Sequence, residues 1–271
     1  MHRLPSVLVL LLLLTGLCAC GRYNPTALSH RLFGPSVLRV GVVADAPPLA
    51  YRKNGTLTGL ETGFAAGLAA ATGRGLELVE LPAADLAPAL RDKKIDIAMA
   101  GLSVAAIEQQ QLAATAPYLR SGLIVLVRLD RHKQLGTGGS RQLTVPGLRV
   151  GVVAETAGDA FVSALQRKGK TYRYASTEAA VRALLANAVD VLVHDLPASL
   201  HYAALHVDQG LTPGTTLLTS EHLAWAVHPD NEKMRTAADR YLATIRASGE
   251  LQTLLERFLP FYSSSAYSPR Q

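Results

Sequence analysis

Cysteine is nearly missing from this chain of 271 residues: Cys18 and Cys20 are the only two, and they stand close together near the N-terminus. A chain beginning at Cys20 has no intramolecular disulfide available. Long runs of one charge are missing as well. Lys and Arg total 27 against 21 Asp and Glu, a formal balance of +6, but the densest groups, Arg91-Asp92-Lys93-Lys94 and Arg167-Lys168-Gly169-Lys170, are short. Such runs are solvated faces rather than a nucleic-acid footprint, and no nucleic-acid partner is expected. There is also no apolar stretch of the roughly 20 residues that crosses a bilayer. The run from Val7 to Leu14 is far shorter.

What is present suffices for packed cores: 49% of residues are hydrophobic and only 18% charged, which excludes a disordered chain. The opening MHRLPSVLVLLLLLTGLCACG sets Arg3 before the apolar run and small residues after it, the layout of a secretory signal. Leu17-Cys18-Ala19-Cys20 resembles a bacterial lipobox, which implies acylation at Cys20; the alternative is an ordinary signal peptide with two incidental cysteines. Residues 1–20 are then a lipoprotein signal peptide. The polar, turn-rich residues 21–37 form a tether, and the expected location is the periplasm, anchored to a membrane by the N-terminal lipid.

LRVGVVA occurs twice, at Leu38 to Ala44 and at Leu148 to Ala154, each time followed by an acid, Asp45 or Glu155. Its Val-rich apolar pattern predicts a short buried strand. The likeness continues downstream, where KKIDIAMAG (Lys93 to Gly101) and NAVDVLVHD (Asn187 to Asp195) both set an Asp before a further apolar strand. Helical stripes separate these strands, so the pattern predicts an α/β chain of two similar βαβ-rich lobes with parallel sheets. Residues 38–126 with 222–271 form the first expected lobe and 127–221 the second, joined where Gly122 to Arg128 and His222 to Val227 cross between them. Ligands of such sheets bind beyond the carboxyl ends of the strands, near helix N-termini. Those ends carry Asp45, Ser103, Thr156 and Asp195. Thr156 and Asp195 also read as N-caps of the helices that follow.

From Leu38 to Pro260 the chain resembles the bacterial extracellular solute-binding proteins of the polar amino-acid type, the periplasmic receptors of ABC importers. The residues that carry the likeness are Pro47-Pro48, Gly59-Leu60-Glu61, Lys94-Ile95-Asp96-Ile97 leading to Ala100-Gly101-Leu102-Ser103, Ala116-Pro117-Tyr118, Thr156-Ala157-Gly158, and Val189-Asp190 leading to Asp195 and Pro197. The resemblance implies a type II periplasmic-binding-protein fold with a two-strand hinge. It also implies a small-molecule solute, an ABC permease as partner, a monomer, no cofactor and no catalysis. Ser103, Thr156 and Asp195 match ligand-contacting positions, Asp195 being the acid that receives a ligand ammonium. The family's second Thr and its carboxylate-clamping Arg are absent, because Ser103 is followed by Val104-Ala105-Ala106-Ile107-Glu108. Ala46 and Ala83 stand where sandwiching aromatics belong.

The expected ligand-binding set is Asp45, Glu61, Ser103, Glu108, Thr156 and Asp195. With the clamp gone and acids gathered, two like charges about 5 Å apart repel by about 3 kcal/mol at an effective dielectric of about 20. A cationic or neutral polar solute is therefore expected in place of a free α-amino acid, unless Arg120 reaches inward. A stand-alone sensory module is an alternative. An enzyme on the same fold is another, although the periplasmic cyclohexadienyl dehydratases place a catalytic Glu just after the acid at Asp195, where this chain has Leu196. Gly101-Leu102-Ser103-Val104-Ala105 lacks the last glycine of a hydrolase nucleophile elbow. His201 and His206, five apart, would lie about 140° from each other on a helix, so no metal site is expected.

Overall fold

The computed structural model describes residues 36–165 and 167–262. The expected signal segment, Cys20 and nearly all of the expected tether lie outside them. Strand β1 (Val37–Val42) leads into a small hairpin sheet of β2 (Asp45–Ala46), β3 (Ala50–Lys53) and β4 (Thr56–Thr58). The β3–β4 turn uses Asn54 and Gly55, both at positive φ. Helix α1 (Leu60–Ala71), β5 (Gly75–Glu80), α2 (Ala83–Arg91), β6 (Ile97–Ser103) and the short α3 (Val104–Gln109) follow, and then β7 (Ala113–Ala114) and β8 (Leu119–Ser121). The second half runs β9 (Leu123–Arg128), α4 (His132–Leu135), β10 (Val150–Val153), α5 (Ala157–Ala164), β11 (Thr171–Tyr174), α6 (Thr177–Leu185), β12 (Val191–Asp195), α7 (Leu196–Leu205) and β13 (Leu211–Pro213). The chain returns through β14 (Glu221–Val227) to helices α8 (Glu232–Ser248) and α9 (Glu250–Phe258). Gly249, in left-handed backbone, separates these two helices.

The two halves are built to one plan. The first sheet has the order β5-β1-β6-β14-β7, with β8 also on β14, and the second β11-β10-β12-β9-β13. In each, the LRVGVVA strand is the middle of three parallel strands, as the repeat predicts. The repeated Arg and the downstream Asp explain each other. Arg39 donates from its backbone N–H and its guanidinium to Asp96, at 3.0 and 2.8 Å. Arg149 does the same to Asp190, at 2.9 and 2.7 Å. Each pair fastens the start of the middle strand to the start of its neighbour.

Strand β9 pairs with β12 along its length, from Leu123 to Val127, so the lobe boundary expected at 126/127 falls inside a strand of the second sheet. The crossing is concentrated just before it. Ser121 pairs with Glu221 at the edge of the first sheet, Gly122 follows, and the N–H of Leu218 donates to the carbonyl of Leu123 at 2.7 Å. The two crossing segments thus lie side by side.

The largest core surrounds Trp225, whose ring centroid is 5.4 Å from that of Phe64 and 6.2 Å from that of Tyr241. The apolar faces of α8 and α9 close this core through Leu242, Ile245, Leu251 and Leu255. Among the described residues no helix is long and apolar enough to cross a membrane.

Candidate functional site

Strand β6 ends at Ser103, β10 at Val153, β11 at Tyr174 and β12 at Asp195, and a helix starts shortly after each. That geometry directs three helix N-termini of the second sheet into a cleft of about 500 Å³ between the two sheets. Thr156 caps α5, Ser176 caps α6 and Asp195 caps α7, each accepting an N–H three residues on, at 3.4, 3.2 and 2.9 Å. The facing wall is formed by Asp45, by the loop at Gly101 and by the crossing segments, which contribute Ser121, Gly122 and Glu221.

The ionisable groups on the cleft wall are mainly acids: Asp45, Glu178, Asp195 and Glu221, beside His194 and Tyr202. Among the described residues no Lys or Arg lines it. Arg120 alternates away from Ser121 along β8 and lies near Tyr262 instead.

His194 Nδ1 is 2.5 Å from Asp195 Oδ2, and its Nε2 is 3.0 Å from the Thr177 hydroxyl. Burial works against a charged imidazole here, but the carboxylates of Asp195 and Glu178 outweigh it and raise the ring above its ordinary 6.5. Enclosure likewise works against the Asp195 charge. His194 and the Ala198 N–H outweigh it, and the carboxyl is held below its usual value. Glu178 accepts from the Tyr202 hydroxyl, which lowers its pKa. Half-buried Glu221 has no such partner among the described residues, and burial together with neighbouring Asp195 pushes its carboxyl up.

Of the six expected contacts, the fold brings Asp45, Thr156 and Asp195 to the cleft and places the other three elsewhere. Glu61 is fully buried in the first core. It accepts from the Tyr118 hydroxyl at 2.6 Å, the Trp225 indole N–H at 2.9 Å and the Gly101 N–H at 2.9 Å. Its role is to hold up the loop behind the cleft wall, and burial raises its pKa despite those three donors. Ser103 caps α3 by accepting from Ala106 N–H at 3.2 Å. Glu108 is exposed on the last turn of α3, pointing to solvent.

Sequence reasoning missed Glu178, Glu221, His194 and Tyr202. The rule that found Thr156 and Asp195, an acceptor between a strand end and a helix start, applies equally to Ser176-Thr177-Glu178 after β11. Glu221 carried no local signal, since only the side-by-side crossing brings it to the floor of the cleft.

Two sheets with parallel cores facing across an acid-lined cleft, their strands ending towards it, define a two-lobed solute-binding architecture. The chain belongs to the bacterial extracellular solute-binding proteins, family 3, whose model matches residues 38–261. It is similar to a cyclohexadienyl dehydratase of Pseudomonas aeruginosa, 23% identical over 238 residues that cover 88% of each chain. It is also similar to the ABC transporter arginine-binding protein 1 of Escherichia coli K12, 22% identical over 237 residues, covering 84% of this chain and 94% of the relative. Among solved structures, an ancestral cationic amino acid solute binding protein superposes with a TM-score of 0.77 at 23% identity, covering 87% of this chain and all of that one (100%).

Proposed function

We propose that this protein is an extracytoplasmic receptor that captures a small polar solute bearing a cationic group and delivers it to an ABC importer. The observation that carries this reading is the cleft wall, with four carboxylates and no Lys or Arg among the described residues. Membership of the family and the name of the arginine-binding relative support it. Asp195 receives the cation, and the lobes close over it by preferring the liganded state, without covalent chemistry.

A receptor is favoured over an enzyme because the position after Asp195 is Leu196, a fully buried core side chain. The dehydratase among the relatives makes the distinction worth testing directly. A thermal-shift screen of standard amino acids, amines and amino-acid amides is the decisive experiment. Specific shifts with cationic members, and recovery of the solute unchanged after incubation, are expected; turnover of a bound solute would overturn the reading.

The anchor belongs to the same proposal. Acylation at Cys20 predicts palmitate labelling and partition with membranes, both lost in Cys20→Ala. Equal labelling of that variant would move the lipid to Cys18.

A further inference from the structure

In receptors that bind amino acids, something must answer the ligand's carboxylate: a guanidinium, an ammonium or an unclaimed helix N-terminus. Among the described residues this cleft offers neither of the first two, since no Lys or Arg lines it. Two of the three helix N-termini that open on it already carry an acid of their own, Glu178 in the first turn of α6 and Asp195 capping α7, whereas Asp159 in the first turn of α5 is ion-paired to Arg173 at 2.9 Å. At those two termini the half-charge that would attract a ligand carboxylate is therefore spent within the chain.

The acids are also divided between the two walls. On the second lobe Asp195 shares its charge with His194, while Glu178 accepts from the neutral Tyr202 hydroxyl and keeps its own charge. Across the cleft, Asp45 and Glu221 have neither a hydrogen bond nor an ion pair from their carboxylates to any described residue. Burial and the charge of Asp195 push the Glu221 carboxyl up. A solute with one positive end would leave one wall uncompensated.

Resting on the receptor reading above, we infer that the cleft selects a carboxylate-free solute with a cationic group at each end, a diamine or guanidino-amine, one end on Asp195 and the other on Glu221 and Asp45. The solute then supplies the charge that the sequence omits. Linear dications suit a cleft of this size, whose walls are otherwise aliphatic and hydroxylic, with Leu49, Leu123, Ser121 and Thr156.

Matched pairs of probes test this by titration calorimetry on the intact protein. 1,5-Diaminopentane differs from lysine only by the carboxylate, agmatine differs from arginine in the same way, and pentylamine differs from 1,5-diaminopentane only by the second amine. The diamine and agmatine are expected to bind at least about tenfold more tightly than lysine, arginine or pentylamine, the scale set by one well-placed charge pair. Glu221→Gln and, separately, Asp45→Asn should each remove about tenfold of diamine affinity and bring it towards that of pentylamine for the unaltered protein. Thermal melting of both unliganded variants confirms that each is folded. Lysine or arginine binding as tightly as its decarboxylated partner overturns the inference and leaves the receptor reading standing. Binding of no amine or amino acid overturns both.

Discussion

Asp195 Oδ2 lies 2.5 Å from Nδ1 of His194 at the head of α7, so the principal acid of the cleft shares its charge with a titrating neighbour. The groups facing this pair are Glu178, Glu221 and Tyr202 from the surrounding elements, with Asp45 across the cleft. Because the folded pKa of His194 is raised, its share of the stability is complete below 6.5 and is lost as pH rises through the folded value. Asp195, held low, contributes above 3.8 and loses its share as pH falls through its folded value. Denaturant unfolding of the protein and of His194→Gln should differ most between those limits and converge above the folded His194 pKa.

The same titration governs the solute. Below the raised His194 value the imidazolium neutralises Asp195, and Glu221, also raised, begins to take up a proton on further acidification. Affinity for a cationic solute should therefore increase as pH rises through both values. In His194→Gln the upper part of that dependence should vanish; an unchanged profile would remove His194 from the account.

Glu61 is expected to be the most sensitive single position of the first lobe. Glu61→Ala strips an acceptor from three buried donors and leaves a cavity, at a cost of about 3–5 kcal/mol in urea unfolding. Glu61→Gln retains the shape and should cost about 1–2 kcal/mol. Since burial raises this carboxyl above 4.5, the folded state holds the proton more tightly, and its contribution declines as pH rises through the folded value. Glu61→Gln should flatten that slope.

The twin pairs Arg39–Asp96 and Arg149–Asp190 are expected to behave alike. The arginine side chains are 37% and 35% exposed, so screening reduces what each pair contributes. Asp96→Asn and Asp190→Asn should each cost about 1 kcal/mol, and the double variant about the sum, because the pairs lie in different sheets. Both aspartates are held below 3.8, Asp190 chiefly by Arg149 and Asp96 by Arg39 against its own burial. Each contribution should be lost as pH falls through the folded values.

The Tyr51 ring of the hairpin sheet lies 5.6 Å from the His201 ring on α7, a contact between the two sides of the cleft outside the acid-lined wall. If it favours the closed arrangement, Tyr51→Ala should accelerate solute release and weaken binding about three- to tenfold while leaving unliganded stability nearly unchanged. Solution scattering should register compaction on binding, and to a smaller extent in the variant.

Much of the architecture was written locally. The repeated LRVGVVA and the Asp before each following strand determined two sheets of one plan, because β-branched apolar runs bury as strands and each Asp lies in reach of the repeated Arg. Thr156 and Asp195 were legible for the same reason: capping is a short-range event, and a cap after a parallel strand faces the carboxyl end of its sheet. Glu61, Glu108 and Glu221 were not legible. An acid in the first turn of a helix has the same local pattern whether it meets solvent, a ligand or a buried indole, and only the packing of Trp225 and Tyr118 turned Glu61 inward. Glu221 faces the cleft because two chain crossings more than ninety residues apart in sequence lie side by side, a relation that no local pattern encodes. The amino-acid sequence by itself determined the strands, the caps and the missing cationic clamp; the tertiary structure decided which carboxylates share the cleft, since that depends on long-range packing of the two sheets.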